Sequence, residues 1–332
     1  MQSAASYMAQ GVAVGVVQTG ARMVESASGM VDVALPKDPL EAFVGVSSLV
    51  VKQKVDKMEA AANLAAAAVG LGGLGNIAEQ ANTYNVYSNT GGLAFKARER
   101  SEHCPSGNPN WCDGRALCAP NHSLQLLFSK PGIITKGADM MLIDRPCYCG
   151  QCCACFDCCL HKAELYSAGP DGAAAVDPAL LVASVRQPIG GGGFSPTLEV
   201  MDREGANIAT VTGPCCCVGG NCFDNTFTIV DAQGAEIGQI LKKKPDDFQD
   251  ALKQGLTDAD NFTLSVKPDL DSKVKAALMT SLLMLDYEFF EGEGDVTVNA
   301  LEGSCSYKCC VMYCFGASCP CKCTCGGGRE HH

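Results

Sequence analysis

The chain has 332 residues, enough for one large domain with tails, and carries a net charge of −11 with no basic domain. That balance excludes direct nucleic-acid binding as a main activity and removes electrostatic attraction to an anionic leaflet. Its 22 cysteines fall in four clusters, at 104–118, 147–159, 215–222 and 305–325, with no secretory signal read near Met1. Such clustering excludes an evenly spread disulfide framework and points to thiols, thioesters or metal ligands in a reducing cytosol.

In chain order, residues 1–45 form a low-complexity segment rich in Ala, Gly, Val and Ser. Residues 60–75 are uncharged but mostly Ala and Gly, and stay open between a packed helix, a flexible insertion and a membrane span. From residue 84 the pattern becomes strand, turn, strand. Asn89-Thr90-Gly91-Gly92 separates two short apolar runs; Leu124, Leu126 and Phe128 alternate; Met141-Leu142-Ile143 follows a glycine-containing turn. The clearest signal is an internal near-repeat. Thr197-Leu198-Glu199-Val200-Met201-Asp202-Arg203-Glu204-Gly205 recurs as Thr226-Phe227-Thr228-Ile229-Val230-Asp231-Ala232-Gln233-Gly234. Each copy returns as a second strand, through Ile208 and Val211 in the first and Ile237 and Ile240 in the second. Asp with Gly three residues on, between alternating apolar residues, predicts a hairpin with a bulged or longer turn. Repeated hairpins predict a meander, and closing it into a barrel removes its edges. Lys242-Lys243-Lys244 is the one basic run; it reads as a solvated strand end, with a headgroup contact as the next reading.

The remaining strands need something to enclose, and residues 257–290 supply it. Phe262, Leu264 and Val266 alternate with Thr263 and Ser265, the period of a half-buried strand. Pro268 ends that strand, and Asp269 or Asp271 caps a helix beginning near Ser272. Residues 276–285 carry no charge and rise ~15 Å as a helix, about half a hydrocarbon core. Two readings follow: a membrane-spanning helix with Lys273 and Lys275 snorkelling at one end, or a helix buried inside the protein. Asp286, Glu288 and Glu291 at the other end favour burial. Ala276, Leu278, Leu282, Leu283 and Leu285 then become core residues walled in by strands. The expected divisions are the N-terminal segment 1–45, a barrel over 46–293 with its helix at 272–290, and a Cys-rich tail over 294–332.

Thr257-Asp258-Ala259-Asp260-Asn261-Phe262, Asp269-Leu270-Asp271 and Leu285-Asp286-Tyr287-Glu288-Phe289-Phe290-Glu291 resemble the C-terminal part of the phospholipid scramblase family. Arg145-Pro146-Cys147, Gly213-Pro214-Cys215-Cys216-Cys217 and the strands through Phe227-Thr228-Ile229 and Ile237-Gly238-Gln239-Ile240 are similar to it as well, so the likeness covers residues 49–293. It implies a mainly β, tubby-like fold: a closed antiparallel β-barrel of about twelve strands around a buried hydrophobic C-terminal α-helix. It also implies calcium-stimulated, ATP-independent, bidirectional movement of membrane phospholipids between leaflets. The protein would then sit lipid-anchored at the cytosolic face of a membrane such as the plasma membrane. The alternative is a lipid-anchored tubby-like binding or adaptor protein without translocation. Some family members carry a nuclear import signal where Lys242-Lys243-Lys244 stands, which brings nuclear entry into the expectation. The family's proline-rich N-terminal segment is absent, and the tail after Gly294 is long and Cys-rich.

The resemblance makes 258–269 the calcium segment, yet the residues depart from a true EF-hand. That loop wants oxygen side chains at positions 1, 3 and 5, Gly at 6 and Glu at 12. Position 5 here is Phe262, 6 is Thr263 and 12 is Asp269. A partial shell from Asp258, Asp260, Asp269 and Asp271, completed by water, predicts weak Ca2+ binding, on the order of 10⁻⁴–10⁻³ M. A solvated turn with a helix cap is the plainer reading. The family's Cys-rich segment is S-palmitoylated, and Cys152, Cys153, Cys158 and Cys159 match its paired pattern, with Phe156-Asp157 in place of a proline. Two acyl chains anchor stably where one does not. Recurrent Cys-x-x-Cys spacings keep zinc open, and buried loop thiols are the third reading. In the tail, Cys319, Cys321, Cys323 and Cys325 suit Zn2+ or another soft metal, further acylation, or disorder. No catalytic motif stands out: Gly-x-Ser-x-Gly and a phosphate-binding loop are both absent, and the five His are scattered or terminal. The chain reads as a transporter or binding protein, with self-association as a partner call, and not as an enzyme.

Overall fold

Alternating apolar residues build twelve antiparallel strands that close on themselves in the computed structural model. It describes residues 38–53, 82–89, 92–100, 123–131, 139–146, 154–169, 173–218, 225–242, 261–290, 296–299 and 304–326, all within one unit spanning 37–332. The strands are β1 (Ser48–Gln53), β2 (Thr83–Ser88), β3 (Leu93–Arg100), β4 (Leu124–Ser129), β5 (Met141–Arg145), β6 (Lys162–Ser167), β7 (Leu181–Arg186), β8 (Thr197–Asp202), β9 (Asn207–Thr212), β11 (Asn225–Asp231), β12 (Glu236–Lys242) and β13 (Asn261–Val266). A short β10 (Cys217–Val218) leaves the wall between β9 and β11. Closure falls on β1, where Leu49 lies opposite Ser88 of β2 on one side and Leu264 of β13 on the other.

The near-repeat folds as the alternation predicts. β8 pairs β9 and β11 pairs β12, each with one irregularity next to its turn. Gly205 and Gly234 take φ values of +83° and +82°, which only glycine adopts freely. In the first turn Asp202 Oδ1 accepts Ala206 N at 2.7 Å; in the second, Asp231 Oδ1 accepts Gln233 N and Ala235 N, both at 2.9 Å. The aspartates close the turns through Asx-type bonds.

Helix α1 (Ser272–Leu285) runs through the lumen. Asp271 caps it, its Oδ1 accepting Lys273 N at 2.7 Å. From Lys275 to Leu285 every residue is buried, so no face of the helix meets solvent. Thr280 and Ser281 return their hydroxyls to the carbonyls of Ala276 and Ala277, so both buried hydroxyls are paired. Ala276, Leu278, Leu282, Leu283 and Leu285 share one core with Val51, Phe95, Ile143, Val200, Ile229 and Leu264 of the wall. Among the described residues no helix is long and apolar enough to cross a membrane.

Four features differ from the sequence expectation. The packed domain begins before residue 46: a 3-10 helix, Pro39–Phe43, places Leu40 and Phe43 in the core, where Phe43 stacks on Phe95 with ring centroids 5.3 Å apart. The acidic flank of α1, used in the sequence reading only as evidence against a membrane span, is itself packed inside. A π-helical turn, Asp286–Phe290, continues the helix and buries Asp286 and Glu288. Lys242 is not a solvated strand end; it is buried, with Nζ 3.9 Å from the centroid of Phe290. Lys243 and Lys244 lie outside the described residues. Last, the tail is ordered as β14 (Val296–Asn299), β15 (Ser304–Cys314) and β16 (Ala317–Gly326). One edge of β15 pairs with β14 and β10, the other with β16, so β10 ties the tail to the barrel.

Candidate functional site

The barrel has two rims. The N-rim surrounds the start of α1, and the C-rim surrounds its end, where Phe290 of the π-turn meets Phe262 of β13. Registers place the ends of β1, β3, β5, β7, β9 and β12 at the C-rim, together with the beginnings of their successors. The long chain excursions therefore leave and return there, and two described cysteine-bearing segments, 154–159 and 215–218, sit there too.

Four segments interlock into a platform at the C-rim. Gly190-Gly191-Gly192-Gly193 has φ from +62° to +86° throughout, a left-handed turn that no run of other residues sustains. It receives the β15–β16 tip: Phe315 N donates to Gly193 O at 2.7 Å, and the Tyr313 hydroxyl donates to Gly191 O at 2.7 Å. Ala154 joins both, donating its N–H to Phe315 O at 2.8 Å and accepting Gly190 N at 2.6 Å. Cys216, itself at φ +67°, donates its N–H to Phe194 O at 2.7 Å and accepts Tyr313 N at 3.0 Å. A Cβ on Gly316 would stand 2.7 Å from Ala154 N, so the tip needs glycine there.

Beneath the platform lies a buried polar network. Tyr84 donates its hydroxyl to Asp286 Oδ2 at 2.8 Å, and Tyr287 donates to Glu99 Oε2 at 3.2 Å. The Arg145 guanidinium stacks 5.0 Å from the Tyr287 ring centroid. His161 Nε2 stands 3.5 Å from Glu288 Oε1. Burial lowers the His161 pKa to about 3, with the Arg145 charge adding to the effect. Burial raises the Glu288 pKa to about 8, against the opposing pull of Arg145. The pair is thus a neutral imidazole facing a protonated carboxyl near pH 7, not an ion pair. The signal for this network is weak in sequence: Arg145, His161 and Glu288 lie far apart in the chain, and nothing in their neighbours pairs them.

The residues singled out from sequence separate. Asp258 and Asp260 lie outside the described residues, as do Cys152 and Cys153. Asn261, the residue after Asp260, opens β13 at the C-rim; Asp269 and Asp271 follow that strand at the N-rim, ~17 Å away at a strand's rise. Asp271 is committed to its cap, and both aspartates lie near the buried Lys275, which donates to Pro268 O at 2.7 Å and Phe43 O at 3.2 Å. Burial lowers the Lys275 pKa, while Asp269 and Asp271 oppose the shift.

Cys158 is exposed, whereas Cys159 is buried and disulfide-bonded, which departs from the expectation of thiols, thioesters or metal ligands. Cys323 is disulfide-bonded as well. Cys319, Cys321 and Cys323 alternate along β16 and so share a face of the strand. Among the described residues no three His, Cys, Asp or Glu are grouped to hold a metal. Cys321 instead meets Cys310 across the hairpin. The period-two spacing of these cysteines was the available sign of a strand.

Comparison with known proteins places this geometry. The family model described as Scramblase matches residues 28–292. Phospholipid scramblase 1 of Homo sapiens is 24% identical over 216 residues, 65% of this chain and 58% of that protein. Phospholipid scramblase 1 of Mus musculus is 24% identical over 256 residues, 77% of this chain and 65% of that protein. Phospholipid scramblase 2 of Homo sapiens is 27% identical over 216 residues, 64% of this chain and 62% of that protein. The chain spans about three fifths of the length of these relatives.

Proposed function

Because the chain belongs to the scramblase family, we propose that it acts on membrane phospholipids and moves them in both directions between leaflets without ATP. The observation that supports this most directly is the extent of the match, which takes in the whole closed barrel and its enclosed helix. The proposed work is lipid transport, not enzymatic conversion. Reconstitution of purified full-length chain into vesicles carrying fluorescent lipid tests it, with external dithionite as the readout. Loss of more than half the fluorescence marks lipid exposed from the inner leaflet; a plateau at half rejects translocation.

Calcium stimulation is part of the proposal, with Asp258 and Asp260 as ligands and Asp269 and Asp271 left to the helix start. An unchanged calcium dose-response in the Asp258→Ala, Asp260→Ala double variant would remove this segment from the mechanism. Acylation of Cys152, Cys153 and Cys158 is the proposed anchor to the cytosolic face of a membrane such as the plasma membrane. Cys159 offers no thiol while its disulfide stands. Neutral hydroxylamine should then release the protein from membranes and high salt should not; retention after hydroxylamine counts against thioesters.

A second reading is favoured by one observation. α1 is buried on every side, so the lumen offers no polar path for a headgroup. A membrane-bound binding or adaptor protein of the same fold would need no such path, and it predicts vesicle binding with a dithionite plateau at half.

A further inference from the structure

We infer that the C-rim platform is a bilayer-docking face, on which Phe156, Ile189, Phe194, Met312 and Phe315 enter the interfacial region of a neutral membrane. This deepens the proposed function and rests on its reading that phospholipid is the partner. Among the described residues seven large apolar side chains are exposed, and these five belong to the platform. The other two, Val44 and Val176, belong to connections at the N-rim. Ile189 is 76% and Phe156 68% exposed, values that a packed side chain does not reach.

The five residues come from three separate stretches of chain, yet one set of backbone hydrogen bonds fixes them together. Phe315 N to Gly193 O, Ala154 N to Phe315 O and Gly190 N to Ala154 O lock the segments carrying Phe315, Phe156 and Ile189. Phe194 and Phe315 meet edge to face at 5.3 Å. Contact with lipid therefore costs little backbone entropy, because the segments that carry them are already held together. An exposed cluster of this kind marks an interaction surface.

Charge selects the occupant. The chain is acidic, net −11, but residues 187–196, 213–218 and 309–321 contain no Asp, Glu, Lys or Arg. In 154–159 the single charge is Asp157, whose Oδ2 lies 2.6 Å from Lys162 Nζ. An uncharged aromatic face on an acidic body suits a bilayer interface entered by apolar contact, not an anionic surface reached by Coulomb attraction. Exposed Cys155, Cys158, Cys215, Cys216 and Cys314 stand among the aromatics, at the depth where a thiol would meet the headgroups.

The test uses full-length, unacylated chain floated with phosphatidylcholine vesicles in the presence of a calcium chelator. Wild type should co-float, and raising salt tenfold should leave the bound fraction unchanged. Phe156→Asp with Ile189→Asp should weaken binding at least tenfold at unchanged Tm, whereas Val176→Asp at the N-rim should leave it as in wild type. Ile189→Trp should shift its emission to the blue and be quenched most by lipids brominated near the headgroup. Failure of wild type to float, binding lost in salt, or binding indifferent to the double aspartate variant overturns the inference. So does a concentration-dependent dimer that the same variant dissolves without vesicle binding, which would assign the face to a second copy of the chain. Docking is read without lipid movement, so the two ideas fail separately. A chain that floats but leaves dithionite quenching at half loses the translocation reading alone. A double variant that scrambles without floating loses the docking reading alone.

Discussion

At the N-rim aspartates hold the starts of turns and helices. Asp38, Asp177, Asp202, Asp231 and Asp271 each accept a backbone N–H at the start of a 3-10 helix, a hairpin turn or α1. At the C-rim the reversals are long, the platform is uncharged along three of its four segments, and the ionisable groups are buried beneath it. One barrel thus uses five of its aspartates as caps and turn closures at one rim, while among the described residues the platform segments of the other carry one acidic side chain, Asp157, paired with Lys162. Asp271, weighed in sequence both as a cap and as a partial calcium ligand, serves as the cap.

The severest way to break the comparison is to remove what both rims share. Leu283→Asp places an unpaired charge against the lumen wall and should cost about 5 kcal/mol or more. Loss of the cooperative thermal transition checks it; a folded variant with a Tm near wild type would mean that α1 is not enclosed.

The C-rim network should show itself through pH. Glu288 has its folded pKa raised from 4.5 to about 8, so its contribution is present below 4.5 and lost as pH rises toward 8. His161 has its folded pKa lowered from 6.5 to about 3, so its contribution is present above 6.5 and lost as pH falls toward 3. Between 4.5 and 6.5 the two slopes cancel, leaving a plateau. Stability should fall by about 2 kcal/mol from pH 6.5 to above 8, and Glu288→Gln should abolish that alkaline fall. Tm against pH measures both, and an alkaline fall that survives in Glu288→Gln assigns it to another group.

Smaller changes should sharpen the contrast. Gly316→Ala forces a φ of +87° and a clash with Ala154, and should loosen the tail tip by roughly 1–2 kcal/mol. Faster proteolysis near Phe315 with an unchanged barrel transition is the expected outcome. Asp271→Ala should cost about 1 kcal/mol through the lost cap, without altering vesicle binding. A change in vesicle binding would show that the rims are not independent.

Local chemistry was legible in the sequence. The alternation and the Asp-to-Gly turns of 197–212 and 226–241 specify hairpins from neighbouring residues alone, and the uncharged run 276–285 specifies a helix in need of a wall. What depends on distant partners was not. Nothing near Glu288 announces His161, and nothing near Gly190 announces the Phe315 tip that it receives. Lys242 reads as solvated because its partner, Phe290, lies beyond β13 in sequence. The tail cysteines alternate as a strand does, but thiol chemistry offers a competing explanation for the same spacing.

The seam between β1 and β13 sets a timetable for the nascent chain. Leu49 cannot meet Leu264 until the eleventh strand of the wall after it has been made, and the lumen stays empty until α1 follows. At ~5–20 residues per second, the intervening chain takes on the order of ten to forty seconds to emerge. Throughout that interval a curved sheet presents two open edges and an apolar concave face. Long-range closure of this kind is slow and prone to aggregation. A chain ended before residue 261 would hold a sheet that can neither close nor fill, because both its last strand and its core follow that point.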